Sequence, residues 1–468
     1  MSETIILPLW IVFIICILAA WAVFSLVLLP LFRWIVKRRI NRVIKEVNDR
    51  LDLQLPSFKL TKRDVLVDRL LYDDEVQRAV EEHCRDQGVS NDAAMQKVKR
   101  YSEEILPSFN AYIYFRLGNL IGRFFVRLLY RFRLGFADEE GLAKINPQSS
   151  VVFIMNHRSN MDYILLAYLA IHRIALSFAV GEWARVWPLE QLIRAMGAFF
   201  VRRGTGNILY RRVLARYVQM ATDGGVVQAI FPEGKLSKDG RLGDPKIGLL
   251  DYLLRGFDSN KGRDLVFIPV GVNYDRVLED RSQLLSINPD SKQKSRLRII
   301  KTTLAFIVHN MWLMVRGRWY RFGYAVVNIG TPVSMREYVK KHNIDFQSLE
   351  KKVRVEKVKL LARDLMQAVC KVIPVVPVSL ISYVFIENLD KALSELEIKT
   401  RAQKLIIELE KHGACVYIPR GDQDYTIEVG LRMLKLRHLV HGDGHLFRAS
   451  IEEIKVLKYY ANSISHFL

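Results

Sequence analysis

Hydrophobic positions along this chain fall into runs of three kinds, and the length of each run limits what it can form. The first, Ile5 to Phe32, carries no charge and exceeds the roughly 20 apolar residues that a bilayer-crossing helix needs. Arg33, Lys37, Arg38, Arg39, Arg42 and Lys45 follow at once, while no positive charge and no small-x-small cleavage pattern marks it as a cleaved signal. The run therefore predicts an anchoring helix with the rest of the chain on the cytoplasmic side; Pro8 and Pro30 also permit a tilted or interfacial placement.

Runs of the second kind are short and rich in β-branched and aromatic residues. Val151 to Met155, Ala198 to Val201, Val226 to Phe231 and Leu265 to Tyr274 read as buried strands, the last carrying Pro269, which predicts an edge or an irregularity. Helical patterns follow them: Ile164 to Ile171, a run from Ile208, and one near Leu249. Strand alternating with helix predicts an α/β sheet.

The third kind is amphipathic. Residues 46–110 are polar and predicted helical. Between Tyr112 and Arg133, Arg116, Arg123, Arg127 and Arg131 recur at spacings of seven and four among apolar residues, predicting a helix with a basic stripe of the kind that lies on an anionic membrane. A cluster from Arg281 to Lys301 precedes an apolar run, Thr302 to Val315, too short to span, which closes on Arg316, Arg318, Trp319, Tyr320 and Arg321. From 335 onward charged helices alternate with one apolar segment, Val372 to Ile386, holding Pro374 and Pro377. The expected organisation is an anchor over 1–33, a helical region over 34–110, an α/β domain over 111–334 and a mostly helical region over 335–468.

Charge narrows the partners. A net charge of +21 calls for anionic lipid, phosphorylated substrates or acidic proteins. The positive charge is interspersed with 49 acidic residues and accompanies no nucleic-acid module, so no nucleic acid is expected. Cys16, Cys84, Cys370 and Cys415 lie far apart and suggest neither a disulfide framework nor a metal site.

The candidate chemistry sits at strand ends. His157 falls in the turn between the strand ending at Met155 and the next helix, and Asp162, one helical turn on, can fold back to hold the ring tautomer that leaves the other nitrogen basic. Ser159-x-x-Asp162 is equally a capping-box helix start. His438 and Asp443 share the same spacing, so spacing alone does not select a pair. After the second strand, Arg202 and Arg203 meet the Gly204-Thr-Gly206 turn and a helix start, a combination that suits a phosphate. After the third, Pro232-Glu233-Gly234-Lys235 opens a glycine-rich loop with Lys238, Arg241 and Lys246; Glu233 can accept hydrogen bonds from substrate hydroxyls and the cations can hold a phosphate.

Taken in order, His157…Asp162, Gly197-Ala-Phe-Phe-Val-Arg202-Arg203, Phe231-Pro-Glu233-Gly234 and Ile268-Pro269-Val270…Tyr274 resemble the four motifs of the glycerolipid acyltransferases, most closely the membrane-bound glycerol-3-phosphate acyltransferases. Phe58 to Arg63, Val372 to Ser379 and Tyr459 to Leu468 extend the likeness over most of the chain. The resemblance implies a mixed sheet flanked by helices. It also implies transfer of an acyl group from acyl-CoA or acyl carrier protein to the 1-hydroxyl of glycerol 3-phosphate, at the cytoplasmic face of a bacterial inner membrane, with no cofactor and no metal. By the same resemblance His157 is the general base and Asp162 orients it. Arg202 or Arg203 holds the acceptor phosphate, Glu233 and Gly234 position the glycerol, and Pro269 shapes the acyl-side wall. Lys235, Lys238 and Arg241 would replace the family's arginine where this chain has Leu236. Phe231-Pro-Glu-Gly and Asn156 are more like the lysophosphatidate acyltransferases, which keeps lysophosphatidate as an alternative acceptor. A non-catalytic protein binding anionic lipid is the alternative of another class.

Overall fold

A computed structural model of the chain describes residues 21, 56–170, 175–202, 204–287, 321–443 and 445–468. Apart from residue 21, the expected anchor helix lies outside the described residues, as do residues 288–320, which hold the run 302–315 and its aromatic close, and Arg203. Among those residues no helix is long and apolar enough to cross a membrane.

The main sheet is mixed. Its strands are β1 (Arg131–Ala137), β2 (Ser150–Met155), β3 (Ser177–Gly181), β4 (Phe199–Val201), β5 (Gln228–Ile230), β6 (Leu265–Tyr274), β7 (Tyr324–Ile329) and β8 (Val333–Ser334), in the order β1-β7-β6-β2-β5-β3-β4 with β8 also on β6. From β6 through β2, β5 and β3 to β4 every pairing is parallel, and β7 runs antiparallel to β6. The carboxyl ends of five neighbouring strands therefore lie along one edge. In open α/β sheets that edge is where ligands bind.

The principal helices are α1 (Arg63–Leu71), α2 (Asp74–Gln87), α3 (Asn91–Ile105), α4 (Asn119–Leu129), α5 (Asp162–Ala170), α6 (Ile208–Asp223), α7 (Gly248–Arg255), α8 (Lys351–Lys371), α9 (Pro377–Ile386), α10 (Glu395–Lys411), α11 (Gln423–Leu436) and α12 (Ile454–Ala461). They cover both faces of the sheet, as the period-two alternation of its strands requires. On β2, Val152 and Ile154 join a core with α1, α2, α3, α6, α7 and α8, while Phe153 and Met155 join one with α4, α5 and α9 to α12. On β6, Leu265 and Phe267 take the first face; Val266, Ile268, Val270 and Val272 take the second. Helices from the amino-terminal and carboxyl-terminal regions are thus built into the same cores as the sheet.

Two sequence expectations change. The basic helix does not continue to Arg133: a π-turn (Ile113–Gly118) leads into α4, which ends at Leu129, and Arg131 opens edge strand β1. Pro269 lies on an interior strand, not an edge. It pairs with Ile154 on the β2 side, and on its other side β8 stops at Phe267 while β7 starts at Val270. Its missing N–H therefore faces a gap in the ladder, the irregularity that proline tolerates. The carboxyl-terminal region is mostly helical and adds a small three-stranded sheet.

Candidate active site at the carboxyl edge of the sheet

The turn after β2 is fixed from both sides. Asn156 clips it to β6, its amide donating to the Val272 carbonyl at 2.9 Å and its oxygen accepting the Val272 N–H at 2.8 Å. The chain then reverses into α5, and the fully buried Asp162 closes the reversal. One carboxylate oxygen, Oδ2, accepts the Arg158 N–H at 2.8 Å, the Ser159 N–H at 3.0 Å and His157 Nδ1 at 3.0 Å. The other, Oδ1, accepts the Tyr274 hydroxyl at 2.5 Å from the end of β6.

Each contact has a chemical consequence. A carboxylate only accepts, so Nδ1 carries the proton of the neutral ring and Nε2 keeps its lone pair. Nε2 has no hydrogen-bond partner among the described residues, and the side chain is 11% exposed. Phe231 stacks on the ring, centroids 4.1 Å apart, which leaves Nε2 as the imidazole's open end. Burial and the adjoining Asp162 carboxylate push the Tyr274 phenol well above its ordinary range, so it stays a donor.

The loop after β5 is tied to the same turn. Glu233 accepts the His157 N–H at 2.7 Å and the Gly243 N–H at 2.8 Å, and Ser237 N–H donates to the His157 carbonyl at 2.8 Å. Burial pushes the Glu233 carboxyl up to about 7, against the two amide donors, which act to lower it. Gly234 sits at φ +69°, in the left-handed region that glycine accepts without strain. Lys235, Arg241 and Lys246 stand exposed on this loop, and Lys238 donates to the Ser286 carbonyl at 3.1 Å. Leu236 is half-buried. Pro269 is buried in the sheet beneath, its carbonyl accepting the Gly330 N–H.

Arg202 follows β4, three strands from β2 in the sheet order, or about 14 Å at ordinary strand spacing. Its guanidinium grips Glu104 of α3 with both Nε and Nη2, and Arg185 reaches the same carboxylate at 2.6 Å. Burial opposes ionisation of Glu104, but the two arginines outweigh it and hold the carboxyl below its ordinary range. The phosphate-type fork expected of Arg202 is thus filled by a carboxylate of the chain itself. His438 is exposed at φ +58° just past the end of α11, a helix-end position.

Two participants have no local sequence signal. Glu279 accepts Ser159 Oγ at 2.8 Å and both the N–H (3.2 Å) and Nδ2 (3.0 Å) of Asn160, pinning the tip of the turn. Arg158, 3% exposed, donates to the Gly240 carbonyl at 2.8 Å and lies over the Tyr459 ring at 4.9 Å, so α12 packs against the turn after β2 and the loop together.

With this geometry in view, the comparisons place the chain. Residues 137–273 match the acyltransferase family, and residues 309–468 match the glycerol-3-phosphate acyltransferase C-terminal region. The two matched regions, in this order, are what the chain shares with glycerol-3-phosphate acyltransferases. Its relatives include the glycerol-3-phosphate acyltransferases of Pseudomonas aeruginosa strain LESB58 (27% identical over 441 residues, 92% of this chain and 51% of that one) and Pseudoalteromonas atlantica strain T6c (27% over 421 residues, 87% and 50%). Another is that of Haemophilus influenzae strain PittEE (23% over 446 residues, 92% and 53%). The chain spans about half the length of these relatives. Among solved structures, the 1-acyl-sn-glycerophosphate acyltransferase of Thermotoga maritima is 15% identical, covering 65% of this chain and 97% of that one at a TM-score of 0.31.

Proposed function

We propose that the chain transfers a fatty acyl group from acyl-CoA or acyl carrier protein to the 1-hydroxyl of glycerol 3-phosphate, with His157 as the general base. The observation that carries this reading is the ring of His157, tied at Nδ1 to a buried carboxylate and free at Nε2, within a region that matches the acyltransferase family. In the step, Nε2 takes the hydroxyl proton as the oxygen attacks the thioester carbonyl. The tetrahedral intermediate collapses, the C–S bond breaks, and the thiolate leaves with the proton from the imidazolium. General-base help of this kind contributes about 10²–10⁴-fold. The attack is direct, so the mechanism uses no serine or cysteine nucleophile.

The other roles follow from position. Glu233 and Gly234 act by placing the loop beside His157, and each Glu233 oxygen keeps a lone pair for a substrate hydroxyl beyond its backbone bond. Lys235, Arg241 and Lys246 supply exposed positive charge for the acceptor phosphate. Arg202 serves it once Glu104 is displaced, and Arg203 is the neighbouring cation. The charge of +21 and the apolar run before residue 33 support action at the cytoplasmic face of a bacterial inner membrane.

The test is acyl transfer by the full chain, purified in detergent with phospholipid, and by His157→Ala. Labelled palmitoyl-CoA or palmitoyl carrier protein is supplied with glycerol 3-phosphate or lysophosphatidate. Label in lysophosphatidate with wild type alone supports the proposal. Label only in phosphatidate moves the chain to the sister activity, and no label from folded protein removes both.

A further inference from the structure

The carboxylate that fills the fork of Arg202 has a second place to sit. Beyond the carboxyl ends of the neighbouring strands β3 and β4, Arg185 and Arg202 share Glu104, whose side chain is 10% exposed. Arg202 holds both its oxygens, one through Nε at 2.6 Å and the other through Nη2, and Arg185 Nη2 meets the first at 2.6 Å. Beside Glu104 opens a cavity of about 520 Å³, whose wall includes Glu104 itself, Arg185, Arg63 of α1, Arg100 of α3 and Arg194. Arg194 is paired with Glu190. Among the described residues Arg63 and Arg100 pair with no carboxylate; Arg63 gives an Nη2 hydrogen to the Glu103 carbonyl, and its Nε is buried without a partner. Burial and the neighbouring charges of Arg63 and Arg185 bring Arg194 below its ordinary range, with Glu190 opposing them, so these positive groups are close enough to repel one another.

Glu104 can therefore change partners. Arg100 lies one helical turn before it on α3, at the i, i+4 spacing that brings side chains together, and Arg63 lines the same space. A turn of the glutamate into the cavity exchanges one pair of guanidinium groups for another and leaves Arg185 and Arg202 without an anion. The rings of Tyr101 and Tyr210 stand against the Arg202 guanidinium at 5.5 and 5.2 Å, so the fork keeps its place when its carboxylate leaves. A carboxylate brings one negative charge to these two cations. A phosphomonoester brings close to two and fits the same fork, whereas a phosphodiester brings one and has no such advantage over Glu104. We infer that Glu104 is the displaceable occupant of a phosphomonoester site formed by Arg185 and Arg202, moving onto Arg63 and Arg100 as the ligand enters, and that it sets the affinity of that site. The identity of the ligand as glycerol 3-phosphate rests on the proposed reaction; the displacement does not.

Isothermal titration calorimetry of the detergent-purified full chain, with no acyl donor present, tests this with inorganic phosphate, glycerol 3-phosphate and the diester dimethyl phosphate. Three charge-assisted hydrogen bonds make the open arrangement a minor one, on the order of one part in ten, and the apparent Kd rises by the inverse of that fraction. Glu104→Gln should therefore bind phosphate and glycerol 3-phosphate about tenfold more tightly than wild type. Glu104→Asp keeps the charge but falls a methylene short of the fork; it should gain about threefold, which the loss of a nearby charge cannot explain. Glu190→Gln, in the same cavity, should stay within about twofold of wild type. The gain should vanish when Glu104→Gln is combined with Arg202→Gln, and dimethyl phosphate should not bind wild type. Melting temperatures show that each variant is folded; if Glu104→Gln melts early, Glu104→Asp carries the test. Phosphate affinity unchanged or weakened in folded Glu104 variants overturns the proposal, as does a gain that survives Arg202→Gln or phosphate binding by none of the proteins. The proposed reaction fails separately: the expected shifts in a chain that acylates neither acceptor remove the reaction and leave the displacement standing, and acyl transfer by wild type without those shifts does the reverse.

Discussion

Substituting Asp162 by Asn removes one charge and almost no volume, so it separates the electrostatic work of this carboxylate from its structural work. In wild type, Oδ2 faces three donors and Oδ1 faces one, the Tyr274 hydroxyl. An asparagine turns its carbonyl oxygen toward the three donors, because an NH₂ group there would confront three N–H groups. Its NH₂ then faces Tyr274, whose hydroxyl rotates to accept. The turn and the ring tautomer survive, and what is lost is the negative charge beside the ring. That charge matters only once the imidazole has taken a proton. For unit charges about 4 Å apart at an effective dielectric constant of about 20 the attraction is about 4 kcal/mol, which corresponds to about 10³-fold in rate. Acyl transfer under saturating substrate should fall by up to that factor, with the melting temperature within a few degrees of wild type. Asp162→Ala, by contrast, abandons four donors in a buried turn and should cost about 5 kcal/mol of stability. A rate for Asp162→Asn within tenfold of wild type, in protein that melts normally, would refute the claim that Asp162 stabilises the protonated ring.

Three further outcomes follow from the same geometry. Tyr274→Phe removes the hydroxyl that donates to Asp162 Oδ1, a hydrogen bond worth about 1 kcal/mol or about fivefold; kcat should fall by about that factor with KM for either substrate unchanged, a split that a purely structural defect does not produce. Gly240 sits at φ +89° with the space for a Cβ filled by the Tyr459 carbonyl oxygen 1.9 Å away, so Gly240→Ala must part the loop from α12 at a cost of at least ~3 kcal/mol, whereas Gly88→Ala at φ +62°, with open space around it, should cost about 1 kcal/mol. Burial pushes both Glu233 and Asp275 up to about 7, above ordinary values of 4.5 and 3.8. The folded state therefore holds more protons than the unfolded one between about pH 4 and 7, and these groups withdraw stability as pH rises through that window. Asp275→Asn should flatten the decline in unfolding free energy measured in denaturant between pH 5 and pH 8, and an unchanged slope would count against the shift.

How much of this was legible in the sequence depends on whether the information is local. β2, β4 and β6 each contain a continuous β-branched or aromatic run and β5 is flanked by Val226, Val227 and Phe231, and the pattern locates all four to within two residues. β3 and β7 mix small and polar residues (Ser177, Ala179 and Gly181; Ala325 and Asn328) with their apolar ones and do not stand out from their flanks. β1 is hidden because its arginines continue the spacing of those on α4, and only pairing with β7 makes it a strand. The motif residues at the carboxyl edge were identifiable as candidates, since glycine, proline and charge cluster where strands end. Their partners were not: Glu279 under the turn, Glu104 in the fork of Arg202 and Tyr459 over Arg158 all arrive through the tertiary fold.

The opening turn shows why the two sequence readings of Ser159-x-x-Asp162 were never exclusive. A capping box asks the fourth residue to accept the N–H of the first, and Asp162 does accept the Ser159 N–H at 3.0 Å. The reciprocal half is absent, because Ser159 Oγ accepts from Met161 N–H and donates to Glu279. The helix start is therefore held by the same oxygen that holds His157. That sharing has a mechanical consequence. A carboxylate on a free side chain would lose rotamer freedom each time it met the ring, whereas this one is already immobilised by two backbone N–H groups and a tyrosine before the ring arrives. The requirement to begin α5 and the requirement to orient the imidazole select the same residue at the same place, so the motif reads as ordinary helix grammar until the orientation of the histidine is seen.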